Sequence, residues 1–97
     1  KAILSAGLTL DDLDLIELNE AFASQSIYCI QELGLDMQKT NVNGSGISLG
    51  HPIGATGAVL VVKLMEEMNL NNHLFGGVSL CVGGGQGIAS IFENVQI

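Results

Sequence analysis

"LFGGVSLCVGGGQGIASIF", residues 74–92, contains no charged side chain and is nearly as long as the ~20 residues a membrane-spanning helix requires. Three consecutive glycines, Gly83 to Gly85, and Gln86 break its centre, where they would cost helicity. Each half is instead rich in β-branched and aromatic residues on either side of a turn signal. The stretch therefore reads as a buried β-hairpin, with strands "GGVSLCV" and "GIASIFE" meeting at Gly84 and Gly85. A hairpin that closes the chain requires a layer to pack on, and the residues before it supply one.

Upstream, "DLDLIEL" (Asp12 to Leu18) is a short apolar strand running into "NEAFASQSIYCIQELG", where Ala23, Ile27, Ile30 and Leu33 recur at helical spacing until Gly34 stops the run. Asn43 to Gly46 form a turn cluster. From Pro52 a second helix is expected, with Ala58, Val62, Met65 and Met68 on one face and Glu66 and Glu67 on another. The opening "KAILSAGL" reads as the last turns of a helix closed by Gly7. Such a short piece nucleates poorly alone, which suggests a chain cut from a larger one. The order β-α-α-β-β argues for an α/β architecture, a mixed sheet with helices packed on it.

At 97 residues and 10.1 kDa the chain makes one domain at most, burying roughly 60 to 65% of its unfolded surface. Three Lys+Arg against ten Asp+Glu give a net charge of −7. That balance speaks against a nucleic-acid partner, whose phosphates need cations. Cys29 and Cys81 lack disulfide or metal spacing and fit a reducing, cytoplasmic setting. No signal segment opens the chain, and no membrane partner is expected.

The chemistry concentrates in "NGSGISLGHPIGATGA", residues 43–58, where His51 is the sole ionisable side chain. With Pro52 at the first helical position, His51 stands at a helix N-terminus, where free N–H groups and the helix dipole disfavour a positive charge. A neutral imidazole there can take a proton from a nucleophile and later donate it to a developing oxyanion. Cys81 stands at a strand end before "GGGQG", where bare backbone N–H groups can approach a substrate oxygen. In a strand it could equally be a small buried hydrophobe. Asn19, between strand and helix, is either an N-cap or a polar hook for a water or a carbonyl. Cys29 belongs to the helix core, and His73 to an exposed loop. His51 and Cys81 alone do not make a metal site, and neither a dinucleotide nor a P-loop fingerprint is present.

Three segments, "NEAFA" (Asn19 to Ala23), "NGSGISLGHPIGATGA" and "CVGGGQGIA" (Cys81 to Ala89), together closely resemble the C-terminal region of the thiolases, with Gly44 and Ser45 where such proteins most often have two glycines. The resemblance implies that residues 1–97 are the C-terminal portion of a thiolase C-terminal domain. It implies acetyl-CoA C-acetyltransferase chemistry: two acetyl-CoA condense to acetoacetyl-CoA and CoA, or the reverse. A longer-chain 3-ketoacyl-CoA thiolase is the close alternative, and a non-catalytic thiolase-derived interaction domain a more distant one. His51 would activate a nucleophilic cysteine and donate to the enolate oxygen, and Asn19 would hold the water completing that oxyanion hole. Cys81 would remove the α-proton, and the N–H of Gly83 would serve a second oxyanion hole. The acylated cysteine itself matches neither Cys29 nor Cys81 and belongs to the family's N-terminal half. The coenzyme A thioester is a substrate, no cofactor or metal is implied, and a homo-oligomer is expected. The family's sheet order, 3-2-1-4-5, would place two further strands between "DLIEL" and the hairpin.

Overall fold

The computed structural model describes residues 1–96. In chain order they form α1 (Ala2–Ser5), a 3-10 turn (Leu10–Asp12), β1 (Leu15–Leu18), α2 (Ala23–Leu33), α3 (Gly46–Leu49), α4 (Thr56–Asn71), β2 (Phe75–Val82) and β3 (Gln86–Glu93). The strands make one mixed sheet in the order β1-β2-β3. The α/β reading holds, as does the hairpin, whose strands run antiparallel with Cys81 opposite Gly87 and Val82 opposite Gln86. Only the first half of the hairpin is buried: Gly76, Gly77 and Val78 are covered, whereas β3 lies largely exposed at the sheet edge.

No strand intervenes between β1 and the hairpin, contrary to the expected order. β1 pairs directly and in parallel with β2, Leu15 opposite Gly76 and Leu18 opposite Ser79. The ladder extends one bond at each end, from Asp14 N to the Phe75 carbonyl (2.8 Å) and from Asn19 N to the Ser79 carbonyl (2.9 Å). A ladder with both ends closed leaves no room for an inserted strand. On its other side β1 meets residues 39–41, where Ile16 N donates to the Lys39 carbonyl at 2.8 Å and Asn41 N to the Ile16 carbonyl at 2.9 Å.

One face of the sheet carries the core. Leu15, Leu60, Leu64, Met68 and Val78 form it, flanked by Val61, Leu80 and Phe92. The buried stripe of α4 is Thr56, Leu60, Leu64 and Met68, an i, i+4 row. The expected face differs: Met68 is buried, but Val62 and Met65 are 58% and 51% exposed. α4 is apolar on more than one side, so its pattern cannot by itself say which stripe meets the sheet. The sheet decides, because Gly76 has no side chain and α4 lies against it. A Cβ there would come within 2.6 Å of the Met68 sulfur and 2.9 Å of Leu64. Cutting Leu64 back to alanine would cost about 2–5 kcal/mol.

α2 ends as its sequence requires, with Gly34 in the left-handed region (φ 63°) and the Leu35 N–H bonded to the Ile30 carbonyl. Its apolar residues are less covered than their spacing suggested: Ile27 and Leu33 are 54% and 52% exposed. Leu33 lines an open apolar cavity of about 200 Å³ on the sheet face away from α4, where it and Cys29 look across at Ile16, Leu18, Gly77 and Ile91. Cys29 is accordingly half-buried rather than a core residue. At the N-terminus α1 closes as expected, with Gly7 left-handed (φ 71°) and Leu8 N bonded to the Ile3 carbonyl. No helix among the described residues is long and apolar enough to cross a membrane.

Candidate active site

β1 and β2 are parallel, so their C-terminal ends lie side by side, and the loops that follow them gather at one end of the sheet. Asn19 ends β1. It is 2% exposed, fixed by the bond of its N–H to Ser79, and lies four residues ahead of α2. It is therefore not the helix N-cap. That place falls to Phe22, whose N–H is met by Gln25 Oε1 at 3.3 Å.

The residue before Asn19 is held by side chains acting as a strand neighbour. Asn41, left-handed at φ 51°, accepts the Leu18 N–H at Oδ1 (2.8 Å) and donates from Nδ2 to the Leu18 carbonyl (2.9 Å). Ser45, 2% exposed, donates its hydroxyl to the same carbonyl at 3.0 Å. These contacts tie "NGSG" to the end of β1. Beyond them the chain runs through α3, one helical turn that follows the turn cluster expected at Asn43 to Gly46. Gly46 is required at its start, since a Cβ there would stand 2.6 Å from the Glu20 carbonyl oxygen and 3.3 Å from Asn19 Oδ1.

A buried ion pair anchors the same loop from below. Glu17, 1% exposed, places Oε1 2.7 Å from Lys63 Nζ on α4, off the alignment of a directed hydrogen bond. Lys63 Nζ also donates to the Gly44 carbonyl at 2.5 Å. Burial pushes the Glu17 carboxyl above its ordinary value of 4.5, and the nearby lysine pulls only partly against it. This network was not legible in sequence, because Glu17 sits in an apolar strand with nothing beside it to mark a partner on α4.

His51 follows Gly50 and precedes a turn, not a helix. α4 begins at Thr56, and the Pro52 carbonyl accepts the N–H groups of Ala55 (2.7 Å) and Thr56 (2.8 Å). Pro52 is thus the base of a turn ahead of the helix, and the helix-terminus argument for His51 loses its premise. A side chain holds His51 instead: Nδ1 lies 2.6 Å from Thr56 Oγ1, which also bonds the Pro52 carbonyl at 3.0 Å. The other ring nitrogen, Nε2, is 3.4 Å from Asn19 Nδ2. Of the two readings of Asn19 the N-cap fails; its Nδ2 faces the imidazole, and its Oδ1, out of contact with solvent, has no partner among the described residues.

Cys81 lies on β2 two residues past Ser79, roughly 7 Å along the strand from the Asn19 bond. It is exposed, and alternation from Val78 turns it to the face away from α4. Gly83 lies in the hairpin turn just beyond. The structure thus brings Asn19 and His51 together and places Cys81 and Gly83 at the same end of the sheet. No hydrogen bond joins these two pairs among the described residues. The sequence reading missed Thr56, Asn41 and Ser45; of these only Thr56 had a signal, a hydroxyl just past the "GHP" turn. His73, expected in the open, is half-buried, with Nδ1 shielded and unpartnered among the described residues. No cluster of three or more His, Cys, Asp or Glu suited to a metal ion occurs among the described residues.

A model for "Thiolase, C-terminal domain" matches residues 1–94. Over 93 residues the chain is 55% identical to a 3-ketoacyl-CoA thiolase of Bacillus subtilis, covering 96% of this chain and 24% of that protein. It is 52% identical over 96 residues to an acetyl-CoA acetyltransferase of Escherichia coli, covering 99% of this chain and 24% of that protein. The crystal structure of human mitochondrial 3-ketoacyl-CoA thiolase in complex with CoA superposes with a TM-score of 0.95 at 46% identity, covering 97% of this chain and 24% of that one. The chain spans about a quarter of the length of the curated relatives it matches.

Proposed function

This chain belongs to the thiolase family, and from that premise we propose that the polypeptide carrying it is an acetyl-CoA C-acetyltransferase, interconverting two acetyl-CoA with acetoacetyl-CoA and CoA. One observation carries the reading: Asn19 and His51, 32 positions apart, meet at the end of β1 with Nδ2 and Nε2 3.4 Å apart. A donor amide beside an imidazole, at the C-terminal end of a parallel strand pair, suits the stabilisation of an enolate oxygen.

In the acylation half-reaction His51 Nε2 accepts the proton of a cysteine thiol supplied by the rest of the polypeptide. The thiolate attacks the thioester carbonyl of acetyl-CoA, and the departing CoA takes up the proton of the Cys81 thiol, which leaves Cys81 as the thiolate and the nucleophile's proton on His51 Nε2. In the condensation half-reaction the Cys81 thiolate removes an α-proton from a second acetyl-CoA. His51 Nε2–H and a water on Asn19 Nδ2 hold the resulting enolate oxygen. The carbanion attacks the acyl-enzyme carbonyl, whose oxyanion the Gly83 N–H receives, and the nucleophilic thiolate departs as acetoacetyl-CoA forms. The exposure of Cys81 suits such a base. Within the 97 residues neither cysteine takes the nucleophile's role, so we expect this chain alone to be inactive. No cofactor is needed beyond the thioester substrate, and the working form is a cytoplasmic homo-oligomer.

A second reading, a 3-ketoacyl-CoA thiolase acting on longer chains, is favoured by the similarity to the 3-ketoacyl-CoA thiolase of Bacillus subtilis and to the human mitochondrial one. Thiolysis by the full-length polypeptide, measured as kcat/KM on acetoacetyl-CoA and on a 3-ketoacyl-CoA of eight or more carbons, separates the two. A ratio in favour of acetoacetyl-CoA supports the acetyltransferase, and the reverse supports the second reading. Absence of thiolysis on both overturns the family chemistry.

A further inference from the structure

We propose that Thr56 is a positioning residue that fixes the ring tautomer of His51 and so makes Nε2 the nitrogen available to accept a proton. The inference rests on the thiolase reading of His51. The Pro52 carbonyl 3.0 Å from Thr56 Oγ1 carries no proton, so the hydroxyl donates to it. A hydroxyl has one proton to give. Thr56 Oγ1 therefore accepts from its other neighbour, and His51 Nδ1, 2.6 Å away, bears the hydrogen. In a neutral imidazole Nε2 is then the unprotonated nitrogen, and it meets Asn19 Nδ2, which can only donate.

Each group thus hands its proton one way: Asn19 Nδ2–H to Nε2, Nδ1–H to Thr56 Oγ1, and Thr56 O–H to the Pro52 carbonyl. Thr56 is 2% exposed, so bulk water cannot replace it on Nδ1, and it is the first residue of α4. Its backbone N–H bonds the same Pro52 carbonyl at 2.8 Å. The hydroxyl is therefore aimed by the start of a helix whose next buried residue, Leu60, lies in the core. When Nε2 takes a proton, the Nδ1–H bond to Thr56 is retained, and the new Nε2–H points to the side where Asn19 lies. The partner of Nδ1 is a neutral hydroxyl, so Thr56 sets which nitrogen acts and how the ring is turned without adding a charge.

The test uses the full-length enzyme with Thr56→Val, Thr56→Ser and His51→Ala, assayed for thiolysis of acetoacetyl-CoA with circular dichroism as the fold control. Thr56→Val is expected to lower kcat by ~10- to 100-fold, by analogy with the loss of a group that orients a metal-bound imidazole. KM should stay within about twofold, and Thr56→Ser should recover kcat to within about threefold of the parent. A folded Thr56→Val enzyme within threefold of the parent, or a Thr56→Ser enzyme as impaired as Thr56→Val, overturns the proposal. If valine prevents folding, Thr56→Ala read against Thr56→Ser decides, since that pair differs only in the hydroxyl: equal kcat overturns the inference and a tenfold gap supports it. A fully active Thr56→Val beside an inactive His51→Ala refutes this inference alone. An active His51→Ala refutes the reading beneath it.

Discussion

Replacing Lys63 with methionine in the full-length polypeptide removes the one cation that, among the described residues, pairs with a carboxylate that is 1% exposed. Methionine nearly matches the lysine stem in volume, so the α4 surface stays filled while Glu17 loses its partner. Breaking one side of a buried pair costs ~3–5 kcal/mol when the remaining group must stay charged. Glu17 escapes part of that cost by taking up a proton, and here the sign is decisive. Its folded-state pKa already lies above 4.5 because of burial, and removal of Lys63 raises it further. The folded state then binds a proton that the unfolded state has released, so stability is full below about pH 4.5 and is lost as pH rises through the folded value. The expected penalty is smallest at pH 5 and grows toward the ~3–5 kcal/mol of an unpaired buried charge at pH 8. Thermal or urea melts of both proteins at the two pH values measure it. Glu17→Gln, which removes the charge but leaves Lys63, 16% exposed, its bond to the Gly44 carbonyl and a path to water, should cost far less, and the double variant should recover most of the Lys63→Met loss. A Lys63→Met penalty equal at both pH values, or below 1 kcal/mol at pH 8, would refute the argument.

Cys81→Ala in the full-length enzyme should still gain an acetyl group on mixing with acetyl-CoA, seen by intact mass, while acetoacetyl-CoA formation is lost; normal condensation would sink the base assignment. The 97 residues alone should show no thiolysis and no stable 10.1 kDa monomer, since the outer edge of β3 is unpaired among the described residues and Val59, Val62 and Met65 of α4 are exposed. Size-exclusion chromatography with light scattering checks this, and a cooperatively melting monomer would count against it. Gly46→Ala in the full-length protein should cost ~1–3 kcal/mol, because the new methyl meets the Glu20 carbonyl; an unchanged melt would show that the loop yields freely.

Local grammar made much of this fold legible. The glycine run at 83–85 placed the hairpin turn, Gly34 and Gly7 ended their helices, and the "GHP" and "NEAFA" segments marked the two residues that meet. What the sequence could not carry was the outcome of competition between distant surfaces. α4 is apolar on several sides, and only the side-chain-free Gly76 beneath it selects the Leu60–Leu64–Met68 row. Direct pairing of β1 with β2 depends on a ladder formed across some sixty residues, which no local pattern encodes. Pro52 suits a first helical position and a turn equally well; the Thr56 hydroxyl bonded to its carbonyl goes with the turn, and with it the true partner of His51.

The account stands most directly on His51, and one substitution tests it. On the proposed reading, His51→Ala in the full-length enzyme removes both the group that activates the nucleophile and one donor to the enolate oxygen. The burst of acyl-enzyme formation and the steady-state condensation rate should therefore each fall by more than the ~10²- to 10³-fold typical of losing a single oxyanion donor. If both rates stay within about tenfold of the parent while the protein remains folded, His51 does not perform the chemistry assigned to it.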